Sequence, residues 1–352
     1  MLQNTKHIDE PTTILVLRYS SAGDVLLISP VLSALGAAWP QARIVVVTKS
    51  QYVDLVRSHP QVAAVEPVLP NENILKLYFR LRALKPTAIL DLHGKLRGMV
   101  LRRLVPRQNR ALLHKRPWHQ SLAVRLRFKR YHNKQLIVER YHAALEQLLG
   151  HKVSPGVLHH VATTEHLAKV SESLVAAGVD LTKPICGISP GSQWPTKCWP
   201  IEYYGELAAR LTNNDGLQVV LVGSQKEVQL TKAIKSRAPA AIDLGGYFNL
   251  CELAAFISKC RLFIANDSGP MHMARAQGVA TVAIFGSTDP GLFDFTGHTA
   301  LSLNLDCAPC SLYGRKRCPL GHFRCMRELD VDRVYDAVQK IFAKALPALV
   351  RG

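Results

Sequence analysis

The residue types best suited to chemistry fall in three short loops. In Arg18-Tyr19-Ser20-Ser21-Ala22-Gly23-Asp24, small residues let a ligand approach the backbone, and Asp24 sits where a helix should begin. Asp is a favoured helix N-cap, which by itself accounts for the position; a carboxylate facing a cleft could instead act as general base. A helix N-terminus lowers the pKa of an acid, so burial would have to offset that loss of basicity. In Ser189-Pro190-Gly191-Ser192-Gln193-Trp194-Pro195-Thr196-Lys197, Gly191 and Ser192 offer N–H and hydroxyl donors, and Lys197 adds a point charge suited to a diphosphate. In Asn266-Asp267-Ser268-Gly269-Pro270-Met271-His272, Pro270 falls in a first helical turn, where its missing N–H costs nothing. The other amides of that turn make an anion site. Capping by Asp267 or Ser268 would explain one such loop. Two in the same half of the chain favour a nucleoside-diphosphate ligand.

Other motifs are absent or fail on physical grounds. No G-x-G-x-x-G follows a predicted strand, and neither G-x-x-x-x-G-K-[ST] nor H-E-x-x-H occurs. This argues against a dinucleotide-dependent oxidoreductase, a P-loop NTPase and a zincin. Gly187-Ile188-Ser189-Pro190-Gly191 matches the G-x-S-x-G of serine hydrolases. That elbow needs the N–H of the residue after the serine, and Pro190 has none. Cys307-x2-Cys310-x7-Cys318-x6-Cys325, with His322 between, has one spacing that suits zinc and one that does not. Reduced packing cysteines are the preferred reading, and no metal is expected.

These loops need strands to hold them. Short β-branched runs alternate with amphipathic stretches, and Ile44-Val45-Val46-Val47 is apolar on both faces, as in a parallel sheet covered by helices. The spacing predicts strands at 14–17, 43–47, 63–68 and 88–91, with helices over 24–37, 52–57 and 74–84. A second series starts after Lys183-Pro184, with strands at 185–189, 217–222, 241–244, 262–265 and 281–285. Its helices are expected over 201–211, 226–235, 250–257 and 271–277, with a last helix over 331–345. The chain is therefore read as α/β, two doubly wound Rossmann-like domains facing a central cleft, with a C-terminal helix. The expected division is 1–170, 171–330 and 331–352. At 352 residues the chain exceeds what one core normally serves.

The formal charge is +18, and it is concentrated. Between Lys76 and Arg130 there are 16 Lys and Arg against one acid, Asp91, a net +15. An anionic partner follows: nucleic acid, a membrane surface or a phosphorylated substrate. The aromatics of that stretch, Tyr78, Phe79, Trp118 and Phe128, make no stacking platform, so nucleic acid is disfavoured. Met1–Thr13 has no apolar run, so no secretory signal and a cytoplasmic location are expected.

Taken together, Ile14-Leu15-Val16-Leu17-Arg18, Gly23-Asp24-Val25-Leu26-Leu27, Asp91-Leu92-His93-Gly94-Lys95-Leu96-Arg97, Lys197-Cys198-Trp199-Pro200 and Asn266–His272 resemble glycosyltransferase family 9, the ADP-heptose:lipopolysaccharide heptosyltransferases. The resemblance implies GT-B architecture and an inverting, metal-independent transfer of heptose to the lipopolysaccharide inner core, the second heptose being favoured. It implies no cofactor, with ADP-heptose as donor substrate. Asp24 then becomes the catalytic base and Lys197 the group that stabilises the leaving diphosphate. Ser192, Glu227, Asp267, Ser268, Gly269, Pro270, Met271 and His272 would bind the donor with Lys197. Arg18, Ser21, Gly23, His93, Lys95 and Arg97 would bind the acceptor, an anionic glycolipid, and would place the protein on the inner face of the cytoplasmic membrane. A family-9 transferase using another nucleotide sugar is the alternative. The basic stretch then reads as a docking face for the acceptor side.

Overall fold

A computed structural model describes residues 11–113, 136–154, 156 and 162–345. The described residues up to 156 form one compact unit and those from 162 on a second. Part of the basic stretch, 114–130, lies outside the described residues.

The first unit is built on a five-stranded parallel sheet of order β3-β2-β1-β4-β5. Its strands are β1 Thr13–Leu17, β2 Arg43–Lys49, β3 Ala64–Val68, β4 Ala88–Asp91 and β5 Arg110–Leu112. Every residue of β1 and β4 is buried. Leu15 pairs with Val45 on one side and Ile89 on the other. Strands flanked on both sides and covered on both faces must be apolar throughout, which is why β1 reads Thr-Ile-Leu-Val-Leu.

The second unit carries a six-stranded parallel sheet, β11-β10-β9-β6-β7-β8. Its strands are β6 Ile185–Ser189, β7 Gln218–Gly223, β8 Ile242–Gly245, β9 Leu262–Asn266, β10 Ala280–Ile284 and β11 Thr299–Leu301. Its core joins these strands to the inner face of helix Ile201–Asn213 (Tyr204, Leu207, Ala208, Leu211) and to Val334 and Val338 of the C-terminal helix Val331–Ala345. The helix Thr164–Ala176 packs on helix Leu250–Lys259 of this unit, so residue 170 falls inside an element of the second unit.

The long helix expected over 24–37 is two helices, Ala22–Leu26 and Ser29–Ala38. The reason is Pro30. Its ring would clash with the carbonyl of residue 26 and it lacks an N–H, so the first helix stops there and the second starts with Pro30 in its first turn.

In both sheets the strand order reverses once, between β1 and β4 and between β6 and β9. The loops leaving the carboxyl ends of two such strands diverge and leave a crevice between them. The first reversal sets the Arg18–Asp24 loop beside 92–95, and the second sets the Pro190–Lys197 loop beside 267–272.

Candidate active site

The first-unit loops meet around Asp24. It is the third residue of its short helix, not the N-cap. Its Oδ2 accepts from the backbone N–H and the hydroxyl of Ser21, both at 3.0 Å, and so closes a capping box. The same oxygen is 2.7 Å from Arg18 Nη2. Arg18 is buried, donates through Nη1 to the Leu92 carbonyl at 2.6 Å, and lies 5.4 Å from the ring centre of Tyr141. Among the described residues, the other carboxylate oxygen, Oδ1, meets only the Tyr141 hydroxyl, at 3.4 Å. The capping bonds and the Arg18 pair therefore lie on one carboxylate oxygen and the Tyr141 contact on the other. Burial pushes the Asp24 pKa up, but the Arg18 guanidinium and the Ser21 donors outweigh it and hold the carboxyl below its usual range. Burial raises the Tyr141 phenol, which stays a neutral donor.

Asp91 shapes the neighbouring loop. Fully buried and 3.3 Å from Arg102, it accepts from the N–H groups of His93 and Gly94 at 3.0 and 2.9 Å. His93 is thereby set edge-on to Tyr19, with ring centres 4.8 Å apart. Its Nδ1 has no hydrogen-bond partner among the described residues. Burial, reinforced by Arg18 and Lys95, pushes the His93 pKa down to about 4, so the ring is neutral at physiological pH. Arg18, Ser21, Gly23, Asp24 and His93 are thus gathered in one place. Lys95 is exposed beside them, whereas Arg97 turns away to donate to the Glu72 carbonyl at 3.2 Å.

In the second unit, Lys197 Nζ is 2.6 Å from Asp267 Oδ2, and both side chains are largely buried. Thr288 donates to the same oxygen at 2.6 Å, and Ser192 donates to the Asp267 carbonyl at 3.3 Å. An ammonium has three N–H donors, so the Asp267 pair aims Lys197 through one of them and, among the described residues, leaves two open. Ser268 caps helix Gly269–Ala276, with Gly269 and Pro270 in the first turn, and its hydroxyl has no partner among the described residues. Met271 is fully buried and His272 nearly so, which leaves backbone amides rather than the Met271 side chain to face a ligand. Glu227 belongs to this group as well. It accepts from the N–H and hydroxyl of Ser224 at 2.7 and 2.8 Å, and a Cβ on Gly191 would lie 1.7 Å from its carboxylate. Any side chain at 191 would have to displace that carboxylate.

Two braces hold these loops. Asn266, fully buried, accepts from the Trp199 N–H at 3.1 Å and donates to the Pro190 carbonyl at 2.6 Å, tying the β9 end to the β6 loop. Thr196, next to Lys197, accepts from Ser287 Oγ at 3.0 Å and from the Arg315 N–H at 2.8 Å, and donates to the Arg315 carbonyl at 3.0 Å. Ser189 is 2% exposed, so the rejected hydrolase motif presents no accessible serine. Tyr141, Thr196, Ser287 and Thr288 were not among the sequence candidates. Each meets its partner across at least 21 positions of chain, and no local spacing announces them.

Cys307, Cys310, Cys318, Cys325 and His322 line one small cavity, with Cys307 Sγ 3.9 Å from His322 Nε2. None of the cysteines is in a disulfide. Among the described residues no three His, Cys, Asp or Glu side chains are arranged to hold a metal ion.

Two parallel α/β sheets, each with charged loops at its strand-order reversal, are the architecture of nucleotide-sugar transferases of the GT-B class. The family model described as glycosyltransferase family 9 (heptosyltransferase) matches residues 74–323. The chain belongs to this family. It is 29% identical to the lipooligosaccharide heptosyltransferase 2 of Campylobacter jejuni over 45% of this chain and 52% of that protein, so it spans about half of that relative. It is 27% identical to the lipopolysaccharide heptosyltransferase 1 of Pseudomonas aeruginosa over 84% of this chain and 85% of that one. The family-9 glycosyltransferase of Veillonella parvula superposes with a TM-score of 0.82 at 22% identity, over 97% of this chain and all of that one. That likeness shows the fold.

Proposed function

We propose that this protein transfers heptose from ADP-heptose to the inner core of lipopolysaccharide, with inversion at the anomeric carbon. The observation that carries the reading is the unequal use of the Asp24 carboxylate: among the described residues, Oδ2 is occupied by Arg18 and Ser21, and Oδ1 has only the long Tyr141 contact. An acceptor hydroxyl placed at Oδ1 gives up its proton as its oxygen attacks the anomeric carbon from the face opposite ADP. The bond from that carbon to the diphosphate oxygen breaks, and ADP leaves with the electron pair. Arg18 keeps Asp24 ionised, and the proton moves as the new C–O bond acidifies it. Lys197 and the first-turn amides of helix Gly269–Ala276 meet the charge growing on ADP, so the proposed step needs no metal ion. Ser192 and Glu227 complete the donor side.

On the acceptor side, neutral His93 and cationic Lys95 suit a phosphorylated, acidic saccharide. Such an acceptor is carried by a lipid, so the reading includes peripheral work at an anionic membrane and no nucleic acid. Among the described residues no helix is long and apolar enough to cross a membrane. Addition of the second heptose is favoured by the C. jejuni relative, and addition of the first by the P. aeruginosa one. Incubation of the purified chain with ADP-heptose and inner-core acceptors carrying no heptose or one decides this by product mass. The proposal expects a heptosylated product from the one-heptose acceptor. Consumption of a different nucleotide sugar, with neither acceptor heptosylated, would refute the donor assignment.

A further inference from the structure

We propose that the helices Ile74–Arg82 and Leu96–Leu101 form a membrane-docking face that inserts apolar side chains into an anionic bilayer; this deepens the reading that the acceptor is lipid-borne and rests on it. The two helices pack against each other, and Arg97 ties the second to the carbonyl of Glu72 just ahead of the first. Their inward positions, Leu77, Leu81 and Leu101, are fully buried. Among their outward positions, four carry large apolar side chains where polar ones would be expected. Leu75 is 59% exposed, Phe79 61% and Leu96 78%, with Met99 nearly half exposed. Leu75 and Phe79 are four residues apart, on one side of their helix, and Leu96 and Met99 are three apart on theirs.

Among the described residues, the exposed charges around this apolar face are cationic. Lys76, Arg82, Lys95, Arg97 and Arg103 are exposed, and none has an ion pair among the described residues. The carboxylates nearby point inward or are taken: Glu72 and Asp91 are buried, and Glu66 is paired with Arg80. Large apolar side chains ringed by unpaired cations match the interface of an anionic bilayer, where the cations meet headgroups and the apolar groups pass below them. A protein partner would need carboxylates facing the same cations and apolar groups of its own, and a polyanion in solution would leave Phe79 and Leu96 exposed to water. Lys95 lies two residues after His93, so a bilayer on this face brings a lipid-borne saccharide beside the Asp24 loop.

Sedimentation with phosphatidylethanolamine vesicles containing phosphatidylglycerol tests this, using the full chain and its Leu75→Ser/Phe79→Ser variant. Both side chains are exposed and outside the proposed active site. The wild-type chain should bind these vesicles and bind phosphatidylcholine vesicles far less. The variant should partition at least about tenfold more weakly. Phe79→Leu should restore most of the loss when returned to the Leu75 background. Heptosyl transfer to a water-soluble acceptor fragment reads the function separately and should be equal in wild type and variant. Vesicle binding that survives the double substitution would overturn the docking face. So would a wild-type dimer that the variant dissociates, because a second copy would then be the occupant. A chain that heptosylates nothing in solution, yet still needs Leu75 and Phe79 to bind vesicles, refutes the transfer reading and leaves the docking face standing.

Discussion

Thr196→Val removes one oxygen and leaves the volume nearly unchanged, which makes it a clean test of how Lys197 is aimed. Thr196 is 3% exposed, and its hydroxyl uses its full capacity: two bonds accepted and one donated. Valine offers no partner, so the Arg315 N–H and the buried Ser287 hydroxyl each lose one, while the Arg315 carbonyl keeps the backbone N–H of residue 196 at 3.3 Å. Leaving a buried polar group unsatisfied costs about 1–3 kcal/mol, and relaxation spares part of that, so a total loss of about 2–4 kcal/mol is expected. Urea unfolding should show a lower midpoint with an unchanged slope. The functional effect is separate. Lys197 follows in the chain, and misplacement of a catalytic group by about 1 Å can cost on the order of 100-fold in rate. Turnover at saturating acceptor should therefore fall by about 10- to 100-fold, while Thr196→Ser, which keeps the hydroxyl, stays within about threefold of wild type. Equal turnover in Thr196→Val and wild type would refute the argument that this brace sets Lys197. Equal damage by the serine variant would refute the assignment of the effect to the hydroxyl.

Other predictions follow from the same geometry. Asp24→Asn should lower turnover by about 100- to 10,000-fold, the range for loss of a general base, while ADP affinity measured by calorimetry stays within about twofold. Retained turnover would remove Asp24 from the chemistry. Asn266→Ala strands the Trp199 N–H and the Pro190 carbonyl, and should cost at least about 2 kcal/mol in unfolding free energy. His93 is held mostly neutral in the folded chain, so its contribution to stability is present above pH 6.5 and falls away as the pH drops toward about 4, where the folded form protonates as well. An NMR titration should place its midpoint near 4, and a midpoint near 6.5 would show that burial does not dominate there.

How legible the molecule was in its sequence varies with the range of the forces involved. The central strands β1, β4, β6 and β9 are readable because burial on both faces demands continuous apolar runs. The edge strands β5 and β11 are three residues each and half-buried, and a run that short carries no period. The helix Ile137–Leu149 does have an apolar face, Tyr141, Ala144, Leu145 and Leu148, but it follows the basic stretch, where the alternation of strands and helices is lost. Pro30 was a visible breaker inside the expected helix, and the structure breaks there.

The candidate loops were legible as residue types: small residues, a carboxylate, a lysine and a proline in a first turn. Their pairing was not. Arg18 read as a ligand-binding cation, and the fold turns it inward onto Asp24, Leu92 and Tyr141. Lys197 read as a bare point charge, and the fold aims it with Asp267, itself held by Thr288. These partners come from strand order, which brings β4 beside β1 and β9 beside β6, and strand order is a property of the whole chain.

The most direct measurement follows the purified chain with ADP-heptose and a heptose-bearing inner-core acceptor, recording ADP release, product mass and the anomeric configuration of the new linkage by NMR. About one ADP should be released per heptose added, with a linkage of inverted configuration, as attack opposite the leaving group requires. Retained configuration, or ADP released with no heptosylated product, would contradict the proposed transfer.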